Sequence, residues 1–147
     1  MKKKYIIELT EKQLRILNRA CNMYSRLIEG QDFAYQELFE AAWEKNCEKE
    51  TGEKMNELWD GGWYNMRDDA EELSNKIKER FWGLNAGTNY GVKYDEESDM
   101  LYDMHQVMRH QLYLDNPNPD KPKFIVDADE PISFGPEPLI KIRAMEG

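Results

Sequence analysis

Residues 4–30 read KYIIELTEKQLRILNRACNMYSRLIEG, and they decide the fold by setting a strand-like run directly before an amphipathic helix. Lys4 to Leu9 carries Tyr5, Ile6 and Ile7, the β-branched and aromatic types that a strand favours. Thr10 ends the run, and with Gln13 three residues on it forms the pattern of a capping box. Beyond it Leu14, Leu17, Cys21, Tyr24 and Ile28 recur at helical spacing, predicting one apolar stripe with Gly30 as the glycine just past the helix end.

Working outward, Asp32 is placed to cap a second helix running to about residue 49, with Leu38, Ala42 and Trp43 toward the core. Residues 44–62 are charged and punctuated by glycine, which reads as a mobile excursion or a solvated connector. A third helix is predicted from about Met66 to Trp82, striped by Met66, Ala70, Leu73, Ile77 and Phe81. Gly83, Gly87 and Gly91, with Asn85 and Asn89 between them, make the following loop. A fourth helix spans about Glu97 to Leu114 with Leu101, Met104, Met108 and Leu112 inward, and Asn116-Pro117-Asn118-Pro119 stops it. Phe124-Ile125-Val126, Ile132-Ser133-Phe134 and Leu139-Ile140-Lys141-Ile142 are strand-like pieces separated by turn residues. The expected fold is therefore α+β: one domain over residues 1–147, with about four helices packed on a small antiparallel sheet. The N-terminal and C-terminal strands form that sheet.

Composition narrows the function classes. The chain has 147 residues, 40% of them hydrophobic and 12% aromatic, more apolar mass than a disordered chain carries even at a mean hydropathy of -0.87. A formal net charge of -9 sets the mean field against phosphate, so a surface that grips nucleic acid or anionic lipid as a whole is not expected. Net charge constrains surfaces and leaves a local basic pocket open. Lys2-Lys3-Lys4 is followed by too short an apolar run for a signal peptide, and no stretch approaches transmembrane length. A cytoplasmic protein is expected. Cys21 and Cys47 lie in helical apolar patterns without neighbouring ligands, which reads as plain thiols and no zinc site.

Nucleotide-binding glycine signatures, metalloprotease motifs and nucleophile elbows are absent from the sequence. His105 and His110 are five apart, about 140° around a helix, and so cannot chelate one metal from one face. No catalytic residues, metal or cofactor are expected, and the chain reads as a binder. The densest constellation lies on the fourth helix, where Tyr102, His105, Arg109 and Tyr113 fall within about 80° of arc. An Arg between aromatic rings suits a phosphate, its fork donating paired charge-assisted hydrogen bonds while the rings stack on a base. The plainer alternative has the two tyrosines covering the core edge while Arg109 reaches water. The loop before this helix adds Asn89 and glycines that let a ligand approach backbone N–H groups. Phe81 and Trp82 enter the loop from the other side, as a stacking lid or as a wedge closing the core.

Two stretches carry a family resemblance. One is Tyr5 to Gln31, ending in Tyr24-Ser25-Arg26-Leu27 and Gly30-Gln31. The other runs from Asn89-Tyr90-Gly91-Val92 through Tyr102-Asp103-Met104-His105-Gln106-Val107-Met108-Arg109-His110. Together they resemble the phage Thoeris anti-defence family, sponge proteins that sequester cyclic ADP-ribose isomers. The resemblance implies a non-catalytic homo-oligomer in the host cytoplasm of an infected bacterium, with pockets between protomers that enclose a small cyclic nucleotide. By position, Arg109 would bind the diphosphate, Asn89 would meet a sugar or base, and Phe81 or Trp82 would stack on the adenine. The excursion at 44–62 has no evident family counterpart.

Nanomolar retention requires about -12 kcal/mol, and a ligand of about 35 non-hydrogen atoms at about -0.3 kcal/mol each yields roughly -10. Such a ligand must be almost wholly enclosed, which favours completion by a second protomer and makes Arg26 and Arg143 candidates for further phosphate contacts. The alternative from a different class is an acidic interaction module that masks a basic host-protein surface. A nucleotide-cleaving enzyme is the third.

Overall fold

The computed structural model describes residues 3–31, 34, 37, 38, 41, 42, 45, 62–116 and 125–145, with backbone alone at 62–67. Among them lie three α-helices, α1 (Glu11–Ile28), α2 (Gly62–Trp82) and α3 (Glu96–Asp115), and a 3-10 turn at Val126–Ala128. No strand occurs among the described residues, so the expected α+β fold with an antiparallel sheet is corrected to a helical one. Most of the expected helix at 32–49 and nearly all of the excursion at 44–62 lie outside the described residues; the described positions of that helix, 34, 37, 38, 41, 42 and 45, are helical as expected, while Leu38 and Ala42, expected inward, are exposed. The chain divides into two compact units, Met1–Ser25 with Val92–Gly147, and Arg26–Gly91.

In the first unit α1 begins at the expected capping box: Thr10 N donates to Gln13 Oε1 at 2.8 Å and Gln13 N to Thr10 Oγ1 at 3.2 Å. Two donors that the first helical turn would otherwise leave unpaired are satisfied. The buried face is rotated from the expected stripe. Cys21 and Ser25 are buried while Leu17 and Tyr24 are 36% and 50% exposed, because the seam with α3 is built of small polar residues. Ser25 Oγ reaches Ser98 O and Oγ, both at 3.1 Å, and Ser98 Oγ donates to Ser25 O at 3.2 Å. Such short side chains let the two backbones approach closely.

Asp95 caps α3 by accepting from Ser98 N at 3.0 Å, and Glu96, Glu97 and Asp99 fill a first turn whose positive dipole end favours them. At the other end the Asn116 backbone N–H returns to Leu112 O. Of the expected core positions Met108 and Leu112 are buried, but so are Ser98, Asp99, Asp103, His105 and Gln106. α3 is a polar spine, and this explains the missing sheet. Gln106 Nε2 donates to Ile132 O at 2.9 Å and Gln106 Oε1 accepts from Ile132 N at 3.1 Å, the two-way bond a neighbouring strand would make. Asp103 accepts from Phe134 N at 3.0 Å and Gly135 N at 2.9 Å. The segment Ile132–Gly135 thus takes its backbone bonds from helix side chains. It also lies so close that a Cβ on Gly135 would stand 3.1 Å from Met100 N. At the N-terminus Tyr5, Ile6 and Ile7 are 83%, 97% and 73% exposed; β-propensity without a pairing partner makes no strand. Residues 139–142 likewise form none, and the 3-10 turn takes up Val126.

In the second unit the end of α1 closes as a Schellman motif, with Gly30 N donating to Leu27 O at 3.1 Å and Gln31 N to Arg26 O at 2.9 Å. Gly30 adopts φ +74, and a Cβ there would meet Leu84 Cδ1 at 3.0 Å and Trp82 Cδ1 at 3.3 Å. α2 ends with Gly83 N donating to Glu79 O, as expected of the glycine past its last turn. Its buried face is again not the expected one. Ser74 and Lys78 are 5% and 3% exposed, whereas Leu73, Ile77 and Phe81 are 60%, 38% and 76% exposed. Among the described residues Cys21, Ala34, Met108 and Leu112 are the buried hydrophobics, so hydrogen bonds, more than apolar burial, specify the interior.

Candidate ligand site

A cleft of about 140 Å³ opens in the first unit. α1 contributes Arg15 and Asn18; the last turns of α3 contribute Arg109, Leu112, Tyr113 and Asn116; the 3-10 turn contributes Asp127. The helical repeat explains the assembly. Arg109, Leu112, Tyr113 and Asn116 are spaced by three and four, a single ridge of α3, and Arg15 and Asn18 are neighbours on one face of α1.

Arg109 is the central group. Its side chain is 17% exposed and Nε lies 3.7 Å from Asp127 Oδ1, an ion pair too long for a hydrogen bond. Nε is buried and has no hydrogen-bond partner, a state that ordinarily costs about 1–3 kcal/mol. The Arg15 guanidinium is engaged by Glu11, Nε and Nη2 donating to Oε1 at 2.8 and 2.6 Å. Each lining guanidinium has its own carboxylate, Arg15 with Glu11 and Arg109 with Asp127, so the cleft brings two guanidinium groups together with their charge balanced.

Asn18 is fixed from behind. His105 Nδ1 lies 2.7 Å from Asn18 Oδ1, so with Nδ1 protonated the amide oxygen accepts and its NH₂ remains a donor. His105 is 8% exposed, and its ring centroid is 6.0 Å from that of Tyr102, which lies 5.8 Å from Phe134. Tyr102 and His105 therefore belong to an aromatic cluster beneath the cleft wall, and the sequence-derived set of four divides in two. Arg109 and Tyr113 line the cleft; Tyr102 and His105 do not. Arg143 is exposed and is not among the lining residues. Opposite, His110 Nδ1 lies 3.1 Å from Asp127 O, which steadies the turn that carries the lining carboxylate.

The remaining candidates lie in the second unit. Arg26 Nη1 donates to Gln31 Oε1 at 3.0 Å, and Gln31 Nε2 donates to Glu29 Oε2 at 2.9 Å. Trp82 Nε1 donates to Ile28 O at 2.9 Å and Tyr90 Oη to Trp82 O at 3.1 Å. The Trp82 ring is thus the wedge that seals the end of α1 against Gly30, while Phe81 beside it is 76% exposed. Asn89 is exposed on the loop, next to Tyr90, whose N–H is taken by Glu29 O at 2.9 Å.

Arg15, Asn18, Asn116 and Asp127 escaped sequence reasoning. The signal for Asn18 was available, since it interrupts the apolar run around Ile16 and Leu17. Asn116 was legible only as a helix stop, and nothing local marks Asp127. Among the described residues no group of His, Cys, Asp and Glu is arranged to hold a metal ion, and no helix is long and apolar enough to cross a membrane. No known protein family, curated protein or solved structure matches the chain.

Proposed function

We propose that this protein is a non-catalytic binder that sequesters a small phosphate-bearing ligand, a cyclic nucleotide of the cyclic ADP-ribose type, with Arg109 as its anion anchor. The observation that carries the reading is the Arg109 guanidinium, mostly buried beside Arg15 and retaining an unpaired Nε donor. Asn18 and Asn116 add neutral donors for the remaining phosphate oxygens. A cleft of about 140 Å³ takes one phosphoryl group, whereas whole-ligand pockets run to about 300–1,000 Å³. The rest of a nucleotide then needs walls from a second copy, in keeping with a homo-oligomer. Of the two aromatic candidates, Phe81 is exposed and Trp82 is held at the end of α1. The family resemblance supplies the biological setting, a phage protein acting in the bacterial cytoplasm against an immune signal.

The test is incubation with a panel of cyclic ADP-ribose isomers and cyclic dinucleotides, then heat release and mass analysis. Intact ligand returned in stoichiometric amount is expected. Arg109→Ala should abolish retention while leaving the circular dichroism spectrum unchanged. An altered product would instead mark an enzyme, and no retained ligand from any member of the panel would refute the proposal. A protein-interaction role is the second reading, favoured by the exposure of Tyr5, Ile6 and Ile7. It predicts a salt-sensitive complex with a host protein and no retained nucleotide.

A further inference from the structure

Among the described residues nothing covers the apolar face of α2. Ala70, Leu73, Ile77 and Phe81 fall within about 80° of the helix circumference, yet Leu73, Ile77 and Phe81 are 60%, 38% and 76% exposed. The adjoining face is the one that packs, with Ser74 and Lys78 at 5% and 3% and the Trp82 indole bonded to Ile28 O. A helix that turns polar residues inward and an aliphatic stripe outward has its hydrophobic partner elsewhere.

The charges along that stripe say what the partner is. Its exposed flank carries Asp69 and Glu72 in the N-terminal half and Lys76 and Arg80 in the C-terminal half. We infer that α2 pairs antiparallel with α2 of a second copy of this chain, about a twofold axis passing near Asn75. That register sets Leu73 against Ile77 of the second copy, and Ala70 against Phe81 or its neighbour. The same register brings Asp69 within one residue of the position facing Arg80 and Glu72 within two of that facing Lys76, inside the reach of these side chains and twice over by symmetry. Only an antiparallel pair sets this flank against its own copy; in a parallel pair it would face the partner's other flank, which carries Ser74 and Lys78. Within one copy Lys76 Nζ already bonds Glu72 Oε1 at 2.6 Å, so pairing completes a four-membered network of alternating sign. Helices packed this way lie about 8–10 Å apart, which suits Ala70 and the aliphatic pair at the centre. This face is distinct from the Arg109 cleft, and the pairing holds whether or not the protein binds a nucleotide.

The test measures mass by sedimentation equilibrium on the full chain without ligand. The wild type should sediment at a multiple of 17.5 kDa, at least twofold. Lys76→Glu with Arg80→Glu makes an all-acidic flank, and Asp69→Lys with Glu72→Lys an all-basic one. Each alone should halve the mass, and mixing the two should restore it. Leu73→Gln with Ile77→Gln should halve it without rescue by either. Circular dichroism selects folded variants, and the mixing experiment is judged on those. A wild type that stays at 17.5 kDa at 100 µM or so, well above the range of a specific dimer, overturns the inference. So does retention of wild-type mass by the like-charged variants, or failure of the mixture to reassociate. Failure of nucleotide binding would leave these masses unchanged, which separates the two proposals.

Discussion

Replacing Asp103 tests whether helix side chains stand in for a sheet. Its carboxylate accepts from Phe134 N and Gly135 N at 3.0 and 2.9 Å, with Ser133 Oγ at 3.5 Å as a weak third contact. Asp103 is 5% exposed, so Asp103→Leu strands two backbone donors against an apolar side chain. A buried unsatisfied donor costs about 1–3 kcal/mol. Phe134 and Gly135 are only part-buried, and water recovers part of each bond, so the lower end of that range, about 1–1.5 kcal/mol for each donor, applies. The expected loss is about 2–3 kcal/mol in total. With a urea slope near 2 kcal/mol/M, the unfolding midpoint should fall by about 1–1.5 M. Asp103→Asn keeps one acceptor oxygen and should lose about half as much. Hydrogen exchange should locate the effect, the amides of Phe134 and Gly135 exchanging faster in the variant than any change in global stability explains. A midpoint shift under about 0.3 M for Asp103→Leu, or unchanged exchange at those two amides, would refute the reasoning.

Other perturbations are equally specific. Gly30→Ala forces a side chain onto φ +74 with Leu84 Cδ1 at 3.0 Å; a loss of about 1–2 kcal/mol is expected in urea melts. A loss near zero would show that the loop yields freely. Burial pushes the Cys21 thiol above its usual range, so peptide-resolved alkylation at pH 8 should be much slower at Cys21 in the folded chain than in urea. The sign follows from the raised value: the neutral thiol is the folded form. The stability it confers is full below the unfolded pKa and declines as pH rises through the folded one.

The helices were legible wherever their ends are written locally. Thr10 with Gln13, Gly30, Gly83 and Asn116 mark boundaries through bonds made within a few residues, and the structure shows those bonds. The faces were much less legible. Reading a stripe assumes that apolar side chains point inward, and here Ser25, Ser98, Asp103, Gln106 and Lys78 occupy the interior. The same assumption turned Ile132-Ser133-Phe134 into a strand, because a sequence does not say whether an extended segment's partner is another strand or Gln106. Within the cleft, Arg109 and Tyr113 were found because they share one helix. Arg15, Asn18 and Asp127 were missed because only tertiary structure brings α1 and the 3-10 turn to them.

Among the described residues four hydrophobics are buried, and those that remain exposed are large: Ile6, Ile16, Leu73, Phe81, Ile132. Apolar area left in water forgoes about 25 cal/mol for each Å², so a chain of this composition gains more from a second copy than one with an ordinary core. The ligand site points the same way by a separate route, since about 140 Å³ bounded by two arginines can hold a phosphate and cannot enclose a nucleoside. Under both proposals the protomer would be completed by assembly. Assembly also answers the difficulty posed by a net charge of -9. In the proposed assembly, enclosure would remove the phosphate from the mean acidic field and leave it with the local one of Arg109 and Arg15 and their carboxylates, where lower dielectric strengthens each contact. On this argument affinity for the anion should fall steeply with any variant that splits the assembly, even one that leaves both arginines in place.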